Sequence, residues 1–198
     1  VLTVIATAMA VSGPALAADL PVAERAPIAV PQPIACPTGT RSSREYAFNL
    51  MGNRAGYQTV CLQADGTRVI HFAYNDRGRG PALTSKIRLD AKNVPVAITT
   101  DGNDYLKGPV AERFTREAGT ATWQNKVESG TQPVAGAAFY VSQSGSFEEL
   151  GLLARALRDA PDRKLALLPQ GEAALQQLSQ LQISNGETSR QVSLYSIG

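Results

Sequence analysis

At 198 residues, 43% of them hydrophobic, the chain has the length of one domain with tails and enough apolar content for a core. Its 19 basic and 17 acidic side chains leave a net charge of +2, which offers nucleic acid or an anionic membrane no long-range field, and 6% aromatics offer single strands no stacking platform. One histidine and two cysteines exclude a His-rich catalytic metal centre or a zinc ribbon built within the chain.

Residues 1–11, VLTVIATAMAV, form an uncharged apolar run, broken by Ser12-Gly13-Pro14 and followed by the A-x-A site Ala15-Leu16-Ala17. The run is too short for a bilayer, which takes about 20 residues. It matches the apolar part of a signal peptide, so residues 1–17 are expected to be cleaved on export to the periplasm or beyond. The alternative is a short buried helix. No later stretch is long and apolar enough for an integral membrane segment. Because the chain opens on Val without a basic leader, the natural chain is expected to begin upstream.

Residues 18–42 carry Pro21, Pro27, Pro31, Pro33 and Pro37. Proline removes donors and favours extended backbone, so this stretch reads as a semi-rigid linker. Cys36 lies in it and Cys61 in a predicted strand. In an oxidising compartment Cys36–Cys61 is a permitted cross-link that would pin linker to sheet. The other reading is a buried free Cys61 with Cys36 exposed.

From residue 43 to 198 the pattern is that of one β-rich domain. Tyr46, Phe48 and Leu50 alternate, and Tyr57, Val60 and Leu62 continue after a Gly-containing turn. Asp65-Gly66 is a hairpin signal, and Val69, His71 and Ala73 alternate with Ile70, Phe72 and Tyr74. Further strands are predicted over 83–89, 94–99, 113–117 and 122–127, separated by turn residues. Such short, closely spaced strands predict an antiparallel sheet and not βαβ units. A helix is expected over 146–160, with Ser146 as N-cap, Glu148 and Glu149 in the first turn, and Pro161 ending it. Its core-facing stripe is read as Leu150, Leu153, Ala154 and Leu157. A strand over 164–168 follows. Leu175, Leu178 and Leu181 fit a helix, but Asn185-Gly186 and the alternating Val192, Leu194 and Ile197 favour a hairpin. The pattern stops on apolar residues, so the natural chain is expected to continue past Gly198. The fold class is therefore mainly β with one packed helix, a curved, half-barrel-like antiparallel sheet.

Few residues announce chemistry. In residues 75–81, Asn75, Asp76, Arg77 and Arg79 stand among glycines, a composition able to present donors to a carboxylate or phosphate, or to a partner domain. The plainer reading is a wide turn in which Asp76 pairs locally with arginine. Asp101-Gly102-Asn103-Asp104 lacks the full loop and distal Glu of a calcium site and reads as a turn. His71 lies within a strand with no nucleophile at a telling spacing, Ser142 and Ser144 sit in no G-x-S-x-G elbow, and Trp123, Phe139 and Tyr140 fall at core positions.

Several strings together resemble a known family. Residues 46–56 (YAFNLMGNRAG) and 71–81 (HFAYNDRGRGP) are similar to the N-terminal β-rich region of secreted bacterial amidohydrolases, the imidazolonepropionase-like metal-dependent hydrolases of the amidohydrolase superfamily. So are residues 102–110, 138–142 and 149–157, with Leu167-Leu168-Pro169 and Gly171-Glu172-Ala173 after them. The resemblance covers about residues 44–198 and rests on order and spacing. It implies a downstream TIM barrel as partner within the same polypeptide, where an H-x-H pair, further histidines and an aspartate hold zinc-type divalent metal that activates water. No H-x-H occurs here, so no catalytic, metal or cofactor residue carries over to this chain. The Tyr46…Gly52…Gly56 pattern also resembles periplasmic half-barrel proteins related to lipoprotein carriers. That resemblance implies instead a free-standing binding protein for an apolar ligand.

Overall fold

A computed structural model describes residues 29–198; the expected signal peptide (1–17) and the start of the linker (18–28) lie outside the described residues. The described residues are mainly β, 57% strand against 9% helical. Eight strands follow one another as a meander, each antiparallel to the next. They are β1 (Thr40–Leu50), β2 (Asn53–Gln63), β3 (Arg68–Tyr74), β4 (Ala82–Leu89), β5 (Pro95–Asn103), β6 (Pro109–Glu117), β7 (Thr120–Gln124) and β8 (Ser129–Pro133). A second sheet, in the order β12-β11-β10-β9, is built from β9 (Ala138–Tyr140), β10 (Lys164–Leu168), β11 (Glu172–Ser184) and β12 (Ser189–Ile197). Helix α1 (Phe147–Asp159) joins β9 to β10.

Register explains how the large sheet curls around the helix. Side chains of paired residues share a face, so each cross-strand row is a stripe of one surface. One inner row runs Leu62, Arg68, Ile87, Ile98, Phe114, Trp123 and Gly130. The next runs Val60, Ile70, Ser85, Thr100 and Glu112. A third runs Gln58, Phe72, Leu83, Gly102 and Val110. Val60, Ile70, Ile87, Ile98, Phe114 and Trp123 of the first two rows form one core cluster with Leu152, Leu153, Ala156 and Leu157 of α1. Six strands thus close on a single helix, which requires curvature. Gly130 permits the last step: a Cβ there would stand 2.3 Å from the Trp123 ring, which lies over the bare backbone. In the middle row the Ser85 and Thr100 hydroxyls satisfy each other at 2.9 Å.

The outer face is covered by the Pro-rich segment. Cys36 and Cys61 form a disulfide with a Cα–Cα distance of 5.7 Å. The Asn75 amide donates to the Ala29 carbonyl at 3.1 Å, and the Ile34 backbone lies beside the Tyr57 hydroxyl. Tyr57, Cys61, Val69 and Ala73, all pointing outward, are buried. His71 lies among them, with Nδ1 3.0 Å from Thr84 Oγ1.

Three expectations are corrected. The chain does contain one βαβ unit, because β9 and β10 pair in parallel across α1; β9 is only three residues long, too short to leave an alternation. The helix turns its Leu152, Leu153, Ala156 and Leu157 inward and leaves Leu150 58% exposed, a stripe offset from the one read from leucine spacing. The strand expected over 122–127 ends at Gln124, after which Asn125 caps a turn through the Val127 and Glu128 N–H groups and leads into β8.

Candidate functional site

The polar residues of the concave side gather where residues 141–146 enter α1. Glu112, on β6, is 1% exposed. Its Oε1 accepts the Tyr140 hydroxyl at 2.9 Å and the Gln143 N–H at 2.8 Å, and its Oε2 accepts the Ser144 N–H at 2.9 Å. Tyr140 also stacks on Phe114 at 4.4 Å between centroids. Burial, and then the adjacent Glu112 carboxylate, push the Tyr140 hydroxyl well above its ordinary range. Glu112 therefore fixes the entry loop from the sheet side.

Glu149 fixes it from the helix side. As the third residue of α1 it reaches back so that its Oε1 accepts the Ser146 N–H at 3.0 Å, half of a capping box. Burial is the main force raising its carboxyl above the usual range, with the Glu112 charge adding to it. The Ser142 hydroxyl and the Ser146 N–H oppose the rise. Arg44 and Arg155 both turn to the neighbouring Glu148, at 3.4 and 2.7 Å. Among the described residues no cationic side chain pairs with Glu149.

Beside Glu149 opens a hollow of about 270 Å³, walled by Phe72, Phe139, Leu153 and Phe147. A second hollow of about 280 Å³ adjoins it, sharing Phe72 and Phe147 and adding Tyr46 and Phe48. Phe48, Phe72, Tyr74 and Phe147 form an aromatic cluster with centroid separations of 4.5 to 5.9 Å. Phe147 stays 54% exposed at the mouth. The site is thus an apolar cleft with two buried carboxyls in its wall, Glu149 at the first hollow and the arginine-paired Glu148 at the second. No family model, curated protein or solved structure matches this chain.

The loop singled out from the sequence lies apart from this cleft. Asp76 and Arg79 pair through their backbones, the Arg77 guanidinium meets Asp76 at 3.0 Å, and the Tyr105 hydroxyl donates to Asp76 at 2.6 Å. Asn75 accepts the Gly78 N–H, and Arg79 lies 5.2 Å from the Tyr105 ring centroid. Asp76 and Arg79 are engaged against the β5–β6 hairpin, whereas the Arg77 side chain is 68% exposed. Asp104 accepts the Leu106 and Gly108 N–H groups and the Lys126 ammonium, so residues 101–108 close on themselves. No group of three or more His, Cys, Asp or Glu side chains converges as a metal site among the described residues. Nor is any described helix long and apolar enough to cross a membrane.

Glu112 and Glu149 were both missed from the sequence, though each left a signal. Glu112 interrupts the inward alternation of Val110 and Phe114, and Glu149 lies on the helical stripe of Leu152, Leu153 and Ala156. A charge at a core position is the unusual feature in both.

The third feature is the β11–β12 hairpin. Its base packs on α1 through Ala173 and Leu175, both buried. Past a register shift between Gln177 and Ser179 the hairpin projects from the core. There Leu181 pairs with Val192, and Ile183 and Leu194 share their face. Leu181, Ile183 and Leu194 are each at least half exposed.

Proposed function

We propose that this chain is the N-terminal accessory domain of an exported metal-dependent amidohydrolase, acting on non-peptide or peptide-like C–N bonds, whose catalytic barrel lies outside these residues. The observation that supports this reading best is the projecting hairpin. Single exposed leucines are ordinary on a protein surface, but a contiguous apolar face on a strand pair is a contact surface. Leu181, Ile183, Val192 and Leu194 form such a face on the last two strands, where a following domain of the same polypeptide would meet them. The domain then supplies a surface for the barrel and no reacting group. Its disulfide is compatible with an oxidising compartment. Residues 18–198 alone are expected to give no metal-dependent hydrolysis of amides or cyclic amides, and robust turnover would contradict the reading. Amide exchange over 179–194 is expected to be at least tenfold slower in the full-length polypeptide than in residues 18–198. Equal exchange in the two would remove the hairpin's proposed role.

A second reading is favoured by the cleft. Two adjoining apolar hollows beside α1 suit a binding protein for an apolar ligand. Co-purifying ligand identified by mass spectrometry after solvent extraction is the test, and repeated extraction of nothing would count against it.

A further inference from the structure

The cleft has a chemical bias that an apolar pocket alone would lack. Glu149 is more than nine-tenths buried; its Oε1 takes the Ser146 N–H, and the Ser142 hydroxyl lies beside the carboxyl without completing a hydrogen bond of full geometry. Burial drives this carboxyl toward its protonated form unless a cation pairs with it, so a cation seated beside it would draw it to the ionised form. No cation of the described residues does so, because Arg44 and Arg155 are drawn to Glu148. A second buried carboxyl, Glu112, makes the surroundings more negative.

Two further features leave the approach to the Glu149 carboxyl open and shape it. A Cβ on Gly145 would stand 3.1 Å from Glu149 Oε2, so a side chain there would crowd the carboxyl. Gly145 is not held in the left-handed backbone region, so space and not conformation is what its lack of a side chain provides. The rest of the wall is aromatic: Phe72 and Phe147 meet edge-to-face at 5.4 Å, with Phe139 beside them. Ring faces carry negative potential and attract organic cations in a desolvated site.

We propose that this cleft binds a small apolar ammonium, an alkyl or aralkyl amine, with its carbon chain against Phe72, Phe139 and Phe147 and an ammonium N–H donated to Glu149 Oε2. This deepens the second reading above and rests on it. A carboxylate ligand cannot draw Glu149 to its charged form and meets the Glu112 charge, and a neutral alcohol gains the apolar contact without the charge-assisted bond.

The test is calorimetric titration of the chain with hexylammonium, hexanol and hexanoate at neutral pH. Hexylammonium is expected to bind at least tenfold more tightly than hexanol, with hexanoate weakest. Glu149→Gln keeps an acceptor for the Ser146 N–H, since glutamine also serves in a capping box, and is expected to reduce hexylammonium binding to the level of hexanol. Gly145→Ala carries the same test should Glu149→Gln fail to fold, and is expected to weaken hexylammonium at least tenfold. Phe147→Ala, at an exposed position, should weaken hexylammonium and hexanol alike. Equal affinity for hexylammonium and hexanol, or a preference that survives both Glu149→Gln and Gly145→Ala, overturns the ammonium assignment and leaves the apolar-ligand reading standing. Binding of none of the three overturns both.

Discussion

At the scale of single residues, two buried carboxyls and one buried imidazole carry the polar architecture. Glu112 accepts three donors that have no other partner of comparable geometry, two of them backbone N–H groups of the loop entering α1. Removing the acceptor leaves those groups buried and unsatisfied, so Glu112→Ala is expected to cost about 3 kcal/mol, measured by urea denaturation. A cost within a few tenths of zero would mean that water replaces the carboxylate. His71 acts in the opposite sense. Burial holds its imidazole below its ordinary pKa of 6.5, so the folded state keeps it neutral where the unfolded chain binds a proton. Its contribution is therefore complete above about pH 6.5 and is lost as pH falls through the depressed folded value. In His71→Gln, stability should decline less steeply between pH 6.5 and 5 than in the wild type. Parallel slopes would show that the histidine is solvated. The roles of Glu112 and Glu149 were legible only as anomalies, because sequence gives the face of a strand more readily than the partner its charge will find.

At the scale of elements, alternation was legible and pairing was not. The rows through Ile70, Ser85 and Thr100 follow from two-fold alternation in β3, β4 and β5. By contrast β8, Ser-Gly-Thr-Gln-Pro, has no apolar alternation and exists as a strand through its ladder with β7. The helix register failed for a related reason: leucines occupy both faces of α1, and the buried stripe includes a glutamate that composition assigns to solvent. The Pro-rich segment was expected as a spacer, and its described part covers the outer face of β2 and β3. The disulfide closes a sequence separation of 25 residues. On loop-closure entropy, Cys36→Ala with Cys61→Ala should cost about 3 kcal/mol, with thermal unfolding as the measurement. An unchanged melting temperature would mean that the segment holds to the sheet without the bond.

At the scale of the whole molecule, the curled sheet around one helix satisfies itself, whereas the hairpin beyond Gln177 does not. Its apolar tip face contributes nothing to the domain's own core, since the core cluster reaches only Ala173 and Leu175 on β11. A mainly β fold with one packed helix was readable from strand spacing and a single capped amphipathic stretch. The proposed accessory role rests on resemblance together with that unpaired face, and on that proposal every catalytic group would lie elsewhere in the polypeptide. The most direct test is to determine the coding sequence beyond the codon for Gly198. An accessory domain predicts an open frame running on for several hundred residues, with an H-x-H pair, further histidines and an aspartate. A stop codon within a few dozen residues would contradict it and leave the ligand cleft as the functional site.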